Sequence, residues 1–315
     1  MIWFDLVSQL LQSLLAILLA PLLLGWINQC RAWLQNRSAP SLLQPYRMLR
    51  KLLEKDAVIA HNASWLFRLT PYVVFASMVL AASIVPIVAT DLPFSPAADV
   101  IALVGLFAVA RVFMALAAMD IGTAFGSLGS RREMLIAALA EPALLIVFFT
   151  PALIAQSTAL TTIVEQLAHR QLHLYPSMAF AAVAFVMVLL AENARIPVDN
   201  PSTHLELTMV HEALILEYSA RHLALMDWAH ALKLMVYLTL GIALFLPWGV
   251  AQPGHWLALP LAVVAVFIKL ALLGAGLAVL EAVSAKMRIF RVPEFLGIAF
   301  LLAVLGMLIH FLVEA

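Results

Sequence analysis

The sequence predicts an all-α integral membrane protein that crosses the bilayer about eight times. Apolar residues make up 64% of its 315 residues and charged residues 11%, whereas soluble domains average roughly half and roughly a quarter. A soluble chain of this size could not cover so much apolar surface with polar groups. The apolar residues also cluster in runs of about 20, the length that a helix needs to cross the hydrocarbon core. We therefore treat residues 1–315 as a single polytopic membrane domain.

Eight apolar runs have roughly the length of a membrane span. They cover residues 3–27, 69–89, 100–119, 134–155, 176–191, 231–249, 256–280 and 295–313. The fifth run is the shortest. The first run is not preceded by the basic region of a secretory signal and is not followed by a small-residue cleavage site, so we interpret it as a retained span.

Charge and cysteine content exclude several kinds of function. The formal net charge is zero, so no overall positive charge attracts nucleic acid. Cys30 is the single cysteine, which excludes an internal disulfide and a four-cysteine iron–sulfur or zinc site within the chain. We expect no metal site and no cofactor in this chain.

The distribution of basic residues predicts the orientation. Fourteen of the eighteen Lys and Arg lie in the loops after the first, third, fifth and seventh spans. Loops rich in Lys and Arg stay in the cytoplasm. These four loops are therefore predicted to be cytoplasmic, with both termini outside.

The first cytoplasmic loop, about residues 28–67, contains a short amphipathic segment. Within residues 46–56, Met48, Leu49, Leu52 and Leu53 recur at helical spacing, opposite Arg47, Arg50, Lys51 and Lys55. This pattern predicts a helix at the membrane interface. A solvated positive loop beside anionic lipid is the alternative that these residues leave open.

Acidic residues and histidines concentrate in the second long cytoplasmic loop, about residues 192–230. They are Glu192, Asp199, His204, Glu206, His211, Glu212, Glu217, His222, Asp227 and His230. His211-Glu212 begins like a zinc-protease helix, but Ile215 stands where the second histidine ligand is required. We interpret the histidines as ordinary polar contacts.

Three glycines, Gly122, Gly126 and Gly129, follow the third span. A dinucleotide-binding fingerprint would require a βαβ unit around such glycines, and here a membrane span precedes them. The segment is predicted to be a flexible cytoplasmic loop.

Four ionisable residues fall within or at the edge of predicted spans: Arg111, Glu141, Lys233 and Lys269. Charges at membrane depth are costly, so they face the protein interior and often serve a path for ions or protons. Glu141 is followed by Pro142, which frees a backbone carbonyl, and a carboxylate in an apolar site can exchange protons near neutral pH. The alternative is a structural ion pair of Glu141 with Arg111 or Lys233.

Two loop segments carry a resemblance to a known family. The first, residues 36–53, contains Arg37-Ser38-Ala39-Pro40, Gln44-Pro45 and Lys51-Leu52-Leu53. The second is Glu192-Asn193-Ala194-Arg195-Ile196-Pro197-Val198-Asp199, with Glu206-Leu207 and Glu217-Tyr218-Ser219 after it. Together with the eight spans, these segments resemble the subunit-1 family of respiratory complex I over nearly the whole chain.

Within that family, the chain resembles the members found in membrane-bound hydrogenases and formate hydrogenlyases. Residues 208–216 make the interval between Glu206-Leu207 and Glu217-Tyr218 longer than complex I itself would have. Residues 203–212 resemble the hydrogenase-linked members, as does Ser130-Arg131-Arg132-Glu133 with the later Glu141-Pro142.

The resemblance implies a non-catalytic membrane subunit of a hydrogenase-4 or formate-hydrogenlyase type complex in the cell (inner) membrane. It implies hydrogenase large and small subunits, an iron–sulfur subunit and antiporter-like membrane subunits as partners, besides membrane lipid. The nickel-iron site and the iron–sulfur clusters are expected in those partners. The chain would dock the peripheral redox arm and couple its chemistry to proton movement.

Depth in the membrane and resemblance together select individual residues. The expected proton path consists of Glu141, Glu192, Asp199, Glu206, Glu217 and Lys233. The expected docking loops contain Arg37, Gln44, Pro45, Arg47, Arg50, Lys51 and Arg195. Met48 stands where complex I relatives usually carry Asp, which weakens the expectation of a quinone site.

Two alternatives remain open at this point. The chain could form the quinone chamber of a complex I (NADH:quinone oxidoreductase), in which an isoprenoid quinone enters between spans. It could also be an ion-coupled secondary transporter, a class that predicts inverted repeats. No matching halves stand out in the sequence.

Overall fold

The computed structural model describes residues 2–90, 93, 98–169, 175–198, 210–251 and 258–314. Within these residues the chain forms eleven α-helices. In chain order they are α1 (Ile2–Leu34), α2 (Gln44–Leu53), α3 (Trp65–Ile84), α4 (Val100–Asp120), α5 (Ala124–Ala155), α6 (Leu160–His169), α7 (Pro176–Glu192), α8 (His211–Ile215), α9 (Ala220–Phe245), α10 (Ala258–Val283) and α11 (Val292–Ile309). A 3₁₀ turn, Ile289–Arg291, precedes α11, and a π-helical turn, His310–Glu314, follows it.

The described residues include seven helices that are long and apolar enough to cross a membrane: α1, α3, α4, α5, α9, α10 and α11. The fifth predicted span is α7, a shorter apolar helix of 17 residues. Its length is about 26 Å, slightly less than the ~30 Å of a typical hydrocarbon core. The prediction of an all-α, multi-pass membrane protein is confirmed.

Several spans begin or end elsewhere than predicted, among them α1, α3, α5 and α9. α3 begins at Trp65 because the Ser64 hydroxyl caps it, accepting a hydrogen bond from the Leu66 amide at 3.1 Å. It ends at Ile84 because Val85 precedes Pro86 and is extended, as residues before proline usually are. α9 begins at Ala220, well before the predicted span at 231, and one side of its polar first turns, with His222 and Ala224, is also buried.

The prediction of a flexible loop at the glycine segment is wrong, because the segment leads directly into the tightly packed start of α5. Thr123 caps this helix, accepting a hydrogen bond from the Gly126 amide at 3.3 Å. A Cβ atom on Gly126 would lie 2.3 Å from the Ala118 carbonyl oxygen, and one on Gly129 would lie 2.9 Å from the Cβ of Ala213. The glycines therefore let α5 start in close contact with α4 and α8.

The most buried candidate span among the described residues is α9. It contacts α1, α3 and α7, while α5 packs against α4, α7 and α11. The Trp228 indole of α9 donates to the Ile17 carbonyl of α1 at 3.0 Å, and Tyr237 stacks on Phe107 of α4 with ring centroids 5.0 Å apart. Polar side chains on α9 are thus held in the centre of the bundle.

Hydrogen bonds and ion pairs join the segments after α1, α4, α7 and α10, so these segments meet at one end of the bundle, which we call the α2 end. The predicted amphipathic helix is present there as α2. Leu49 and Leu52 are buried against Ala224 of α9. The predicted polar face of α2 is exposed at Arg47, Arg50 and Lys51. The predicted apolar face is wrong at Met48 and Leu53, which are 51% and 50% exposed, because the contact with α9 covers only Leu49 and Leu52.

Candidate functional site

Five ionisable side chains from four helices meet inside the bundle. This ion cluster consists of Arg111 (α4), Glu133 and Glu141 (α5), Glu192 (α7) and Lys233 (α9). Arg111 is at its centre: Nη1 donates to Glu141, Nη2 donates to Oε2 of Glu192 at 2.5 Å, and Nε lies 3.8 Å from Oε1 of Glu133. Nζ of Lys233 lies 3.0 Å from the same Oε2 of Glu192.

The short helix α7 brings its C-terminus to this cluster. Glu192 is its last residue, and the carbonyls at a helix C-terminus add partial negative charge beside the two cations. The chain then turns away sharply: Ala194 has a φ of 47°, and the Arg195 amide donates to the Leu190 carbonyl at 2.9 Å. Because the chain turns away directly after Glu192, α7 ends at the ion cluster, and the fifth span is short for the same reason.

The ion cluster has an excess of one carboxylate. Its three carboxylates and two cations give a formal charge of −1 when every group is ionised. Because an uncompensated charge in an apolar interior costs free energy, one added proton would balance the cluster. Arg111 and Glu192 link the five groups, so a change of charge on one of them acts on the others at close range. The arrangement can hold one proton and move it between helices.

Access to the three carboxylates differs. The side chains of Glu192 and Glu133 are only 2% and 9% exposed, whereas that of Glu141 is 33% exposed. Of the three carboxylates, Glu141 is therefore the one that is accessible at the outer surface of α5.

Two cavities lead from the α2 end to the ion cluster. The wide cavity has a volume of about 570 Å³ and lies among α1, α2 and the turn after α7. The inner cavity, of about 70 Å³, is lined by Arg111 and Lys233 of the ion cluster. Glu212, Asp227 and His230 line both cavities, so these residues form their common wall.

A second group of buried ions lies beside the wide cavity. Oε1 of Glu281 (α10) lies 3.0 Å from Nη1 of Arg195, and its Oε2 lies 3.4 Å from Nη1 of Arg31 (α1). Burial lowers the pKa of Arg195, and the negative charge of Glu281 opposes this effect. We call Arg31, Arg195 and Glu281 the Glu281 triad; it ties α1, α10 and the turn after α7 together.

This chain matches a known family along almost its entire length. The family model described as NADH dehydrogenase matches residues 8–312. The chain belongs to the complex I subunit-1 family. The resemblance drawn from the loop motifs is therefore confirmed.

Two relatives of the subunit-1 family come from Escherichia coli (strain K12). Formate hydrogenlyase subunit 4 is 33% identical over 296 residues, covering 93% of this chain and 95% of the relative. Hydrogenase-4 component C is 33% identical over 298 residues, covering 94% of this chain and 93% of the relative. By their names, both relatives are components of hydrogenase complexes.

A solved structure of the membrane-bound sulfane sulfur reductase, an archaeal respiratory membrane complex, contains a chain of the same fold. The TM-score is 0.80 at 18% sequence identity, and the alignment covers 96% of this chain and 98% of that chain.

Of the six predicted proton-path residues, the structure brings Glu141, Glu192 and Lys233 together in the ion cluster. Glu217 is exposed between α8 and α9 and does not join them. Asp199 and Glu206 lie outside the described residues.

The predicted docking residues fall into three groups. Those that line the wide cavity are Arg37, Gln44 and Pro45. Those on the exposed face of α2 are Arg47, Arg50 and Lys51. Arg195 lines the wide cavity as well, but it differs from the expected docking position, because it is only 8% exposed and its guanidinium pairs with Glu281 inside the protein.

The sequence interpretation did not select Glu133, Glu281, Asp227 or His230 as site residues. Glu133 and Glu281 each lie one residue outside a predicted span, so their burial was not evident. Asp227 and His230 do carry a signal, because with Lys233 they recur every three residues and share a helix face. That signal was lost because the span was predicted to begin only at 231.

Replacing Arg111 tests the cohesion of the ion cluster. Arg111→Gln leaves three carboxylates in the cluster with Lys233 alone. Removing one partner of a buried ion pair costs about 3–5 kcal/mol, so we expect a lower Tm in detergent and less protein in the membrane. Arg68→Gln, which changes an exposed arginine of α3, should alter stability by less than about 0.5 kcal/mol. Similar stability of the two variants would contradict the central role of Arg111.

Proposed function

We propose that this chain is the membrane anchor and proton-path subunit of a hydrogenase-4 or formate-hydrogenlyase-like complex. The observation that carries the proposal is the buried ion cluster, whose excess carboxylate can hold one exchangeable proton. The 33% identity to formate hydrogenlyase subunit 4 over 93% of the chain supports the type of complex. The subunit itself is non-catalytic: it docks a peripheral redox arm and couples that arm's chemistry to proton movement.

The partners in this proposal are hydrogenase large and small subunits, an iron–sulfur subunit and antiporter-like membrane subunits. The names of the two bacterial relatives support a multi-subunit hydrogenase assembly. The nickel-iron site and the iron–sulfur clusters belong to those partners, because Cys30 is the chain's single cysteine and a cluster needs about four such ligands.

Electrostatics can couple the docked arm to the ion cluster. A change of charge at the α2 end first alters the proton affinity of the acidic wall residues Glu212 and Asp227. These residues line both cavities, and the inner cavity reaches Arg111. Because Arg111 contacts both Glu192 and Glu141, a proton gained at one side of the cluster changes the electrostatic field at Glu141, on the other.

The surface position of Glu141 supports contact with an antiporter-like subunit. One third of its side chain is exposed on the isolated chain, and it lines neither cavity. A carboxylate facing lipid would be costly, so a neighbouring membrane subunit that covers Glu141 removes this cost. The same contact provides a lateral outlet for the proton.

A quinone chamber is the second candidate function, and the wide cavity favours it. Its volume of about 570 Å³ falls within the range of small-ligand sites, and Gln44 and Pro45 line it. Met48 also lines it, and its thioether is only a weak acceptor where complex I relatives usually carry Asp. We therefore rank the quinone role second, and family membership ranks the secondary transporter below both.

Glu141→Gln tests the proton path. The amide keeps the size and most hydrogen bonds of Glu141, and Arg111 keeps Glu192 and Glu133 as partners, so the complex should still assemble. Because the group no longer titrates, proton translocation by the complex in proteoliposomes should fall at least about tenfold. Glu141→Asp should retain part of it.

The matched control for Glu141 is Glu294→Gln, which neutralises an exposed carboxylate in the first turn of α11. It should leave proton translocation unchanged. Normal assembly together with normal translocation in Glu141→Gln would sink the proposed path.

Charge reversal on α2 tests docking. Changing Arg47, Arg50 and Lys51 to Glu should release the soluble arm while the protein stays in the membrane, since these side chains are exposed and interfacial charges set association and register. Co-purification of the arm with tagged protein measures the effect. The control is the same reversal of Lys286, Arg288 and Arg291, also at the α2 end, which should leave the arm bound. An arm retained by the α2 variant would leave α2 as a lipid-facing helix only.

Reporter fusions test the orientation that we propose, with the α2 end in the cytoplasm and both termini outside the inner membrane. The bias of fourteen basic residues to that end supports it. A reporter inserted at 28–67 should be active in the cytoplasm, and one at the C-terminus should be active outside. A cytoplasmic C-terminus would overturn the orientation.

A further inference from the structure

Three titratable residues form a stripe along one face of α9. Asp227, His230 and Lys233 are spaced three residues apart, which places them on neighbouring turns of one face, and each step rises about 4.5 Å. Asp227 and His230 line the wide cavity, and all three residues line the inner cavity. Lys233 in turn lies 3.0 Å from Glu192. The stripe thus extends from the wall of the wide cavity to the ion cluster.

His230 occupies the middle of this stripe. Its Nδ1 atom is buried and has no hydrogen-bond partner among the described residues. Buried polar atoms are nearly always paired, so an unpaired ring nitrogen in the wall between two cavities calls for a reason. An imidazole can accept a proton on one nitrogen and release one from the other, which is what a connecting group between two proton-accessible spaces requires.

The groups around His230 come from every element that surrounds the common wall. The ring of His211 (α8) lies 4.6 Å away between centroids. The charged neighbours that share its cavities are Arg31 of α1, Arg37 of the segment after α1, Glu212 of α8, Arg195 of the turn after α7, Arg111 of α4, Glu281 of α10, and Asp227 and Lys233 of α9. Carboxylates and arginines both line the wide cavity, and the cations of the ion cluster lie on the inner side.

We propose that His230 passes protons between the wide cavity and the ion cluster, so that the stripe on α9 is the entrance to the proton path. In each passage one imidazole nitrogen gains a proton from Asp227 or from water in the wide cavity, and the other nitrogen gives a proton to the inner cavity and a carboxylate of the cluster. The ring then returns to its starting tautomer, with no net change in protons on His230. This inference rests on the proposed function, and it names the residues through which protons enter the proposed path.

His230→Gln in the assembled complex tests the relay, because glutamine can hydrogen-bond but does not titrate. In proteoliposomes, proton translocation should fall at least about tenfold, while hydrogenase activity measured with a viologen dye stays at the wild-type level. His230→Glu restores a titratable group and should restore a large part of the translocation. Its pH profile should lie at lower pH than that of the wild type, because a carboxylate has a lower ordinary pKa than an imidazole. A purely structural role would not produce that displacement.

The matched control is His61→Gln, an exposed histidine at the α2 end, which should behave as the wild type. Wild-type translocation in His230→Gln overturns the relay, and so does an equal loss in His230→Gln and His230→Glu. If His230→Gln fails to assemble, Asp227→Asn tests the same stripe, and normal translocation in that variant overturns the proposal. Loss of translocation in Glu141→Gln without loss in His230→Gln rejects this inference alone, whereas a normal Glu141→Gln rejects the proposed function itself.

Discussion

The pairing of Arg111 with three carboxylates is the interaction on which the interior of this protein depends. One guanidinium joins α4 to Glu133 and Glu141 on α5 and to Glu192 on α7, and Lys233 extends the network to α9. Because a buried charge must keep its partners, the depth and rotation of four helices are constrained together. The short α7 and the central place of α9 both fit that constraint.

The same constraint links the interior to the α2 end. Lys233 and Arg111 line the inner cavity, and the wall of that cavity is shared with the wide cavity beneath α2. The Glu281 triad holds the opposite side of the wide cavity in place by pairing Arg31 of α1 with Glu281 of α10. Ion pairs therefore border the two cavities on both sides, an arrangement that fits the proposed proton path.

Not every charge at membrane depth belongs to this route. Lys269 of α10 donates from Nζ to the carbonyl of Leu246 at 2.7 Å and also to the carbonyl of Trp248. These carbonyls follow the C-terminus of α9, where a cation stabilises the unpaired acceptors. Lys269 thus completes a helix end, while Lys233, on the neighbouring helix, completes a network of titratable groups. The groups that each lysine contacts distinguish the two roles, whereas residue type and depth in the membrane do not.

By itself the sequence determined the class of protein, the approximate positions of the seven candidate membrane helices and of the shorter helix α7, the amphipathic helix α2 and the family, because apolar run length, helical spacing and loop motifs are properties of local sequence. It also singled out Glu141, Glu192 and Lys233. Only the tertiary structure decided that Arg111 joins them, that Glu133 belongs to the same cluster, and that Arg195 is buried against Glu281. Those facts depend on which side chains meet across helices far apart in the chain, and a buried charge takes its role from the partners it finds there.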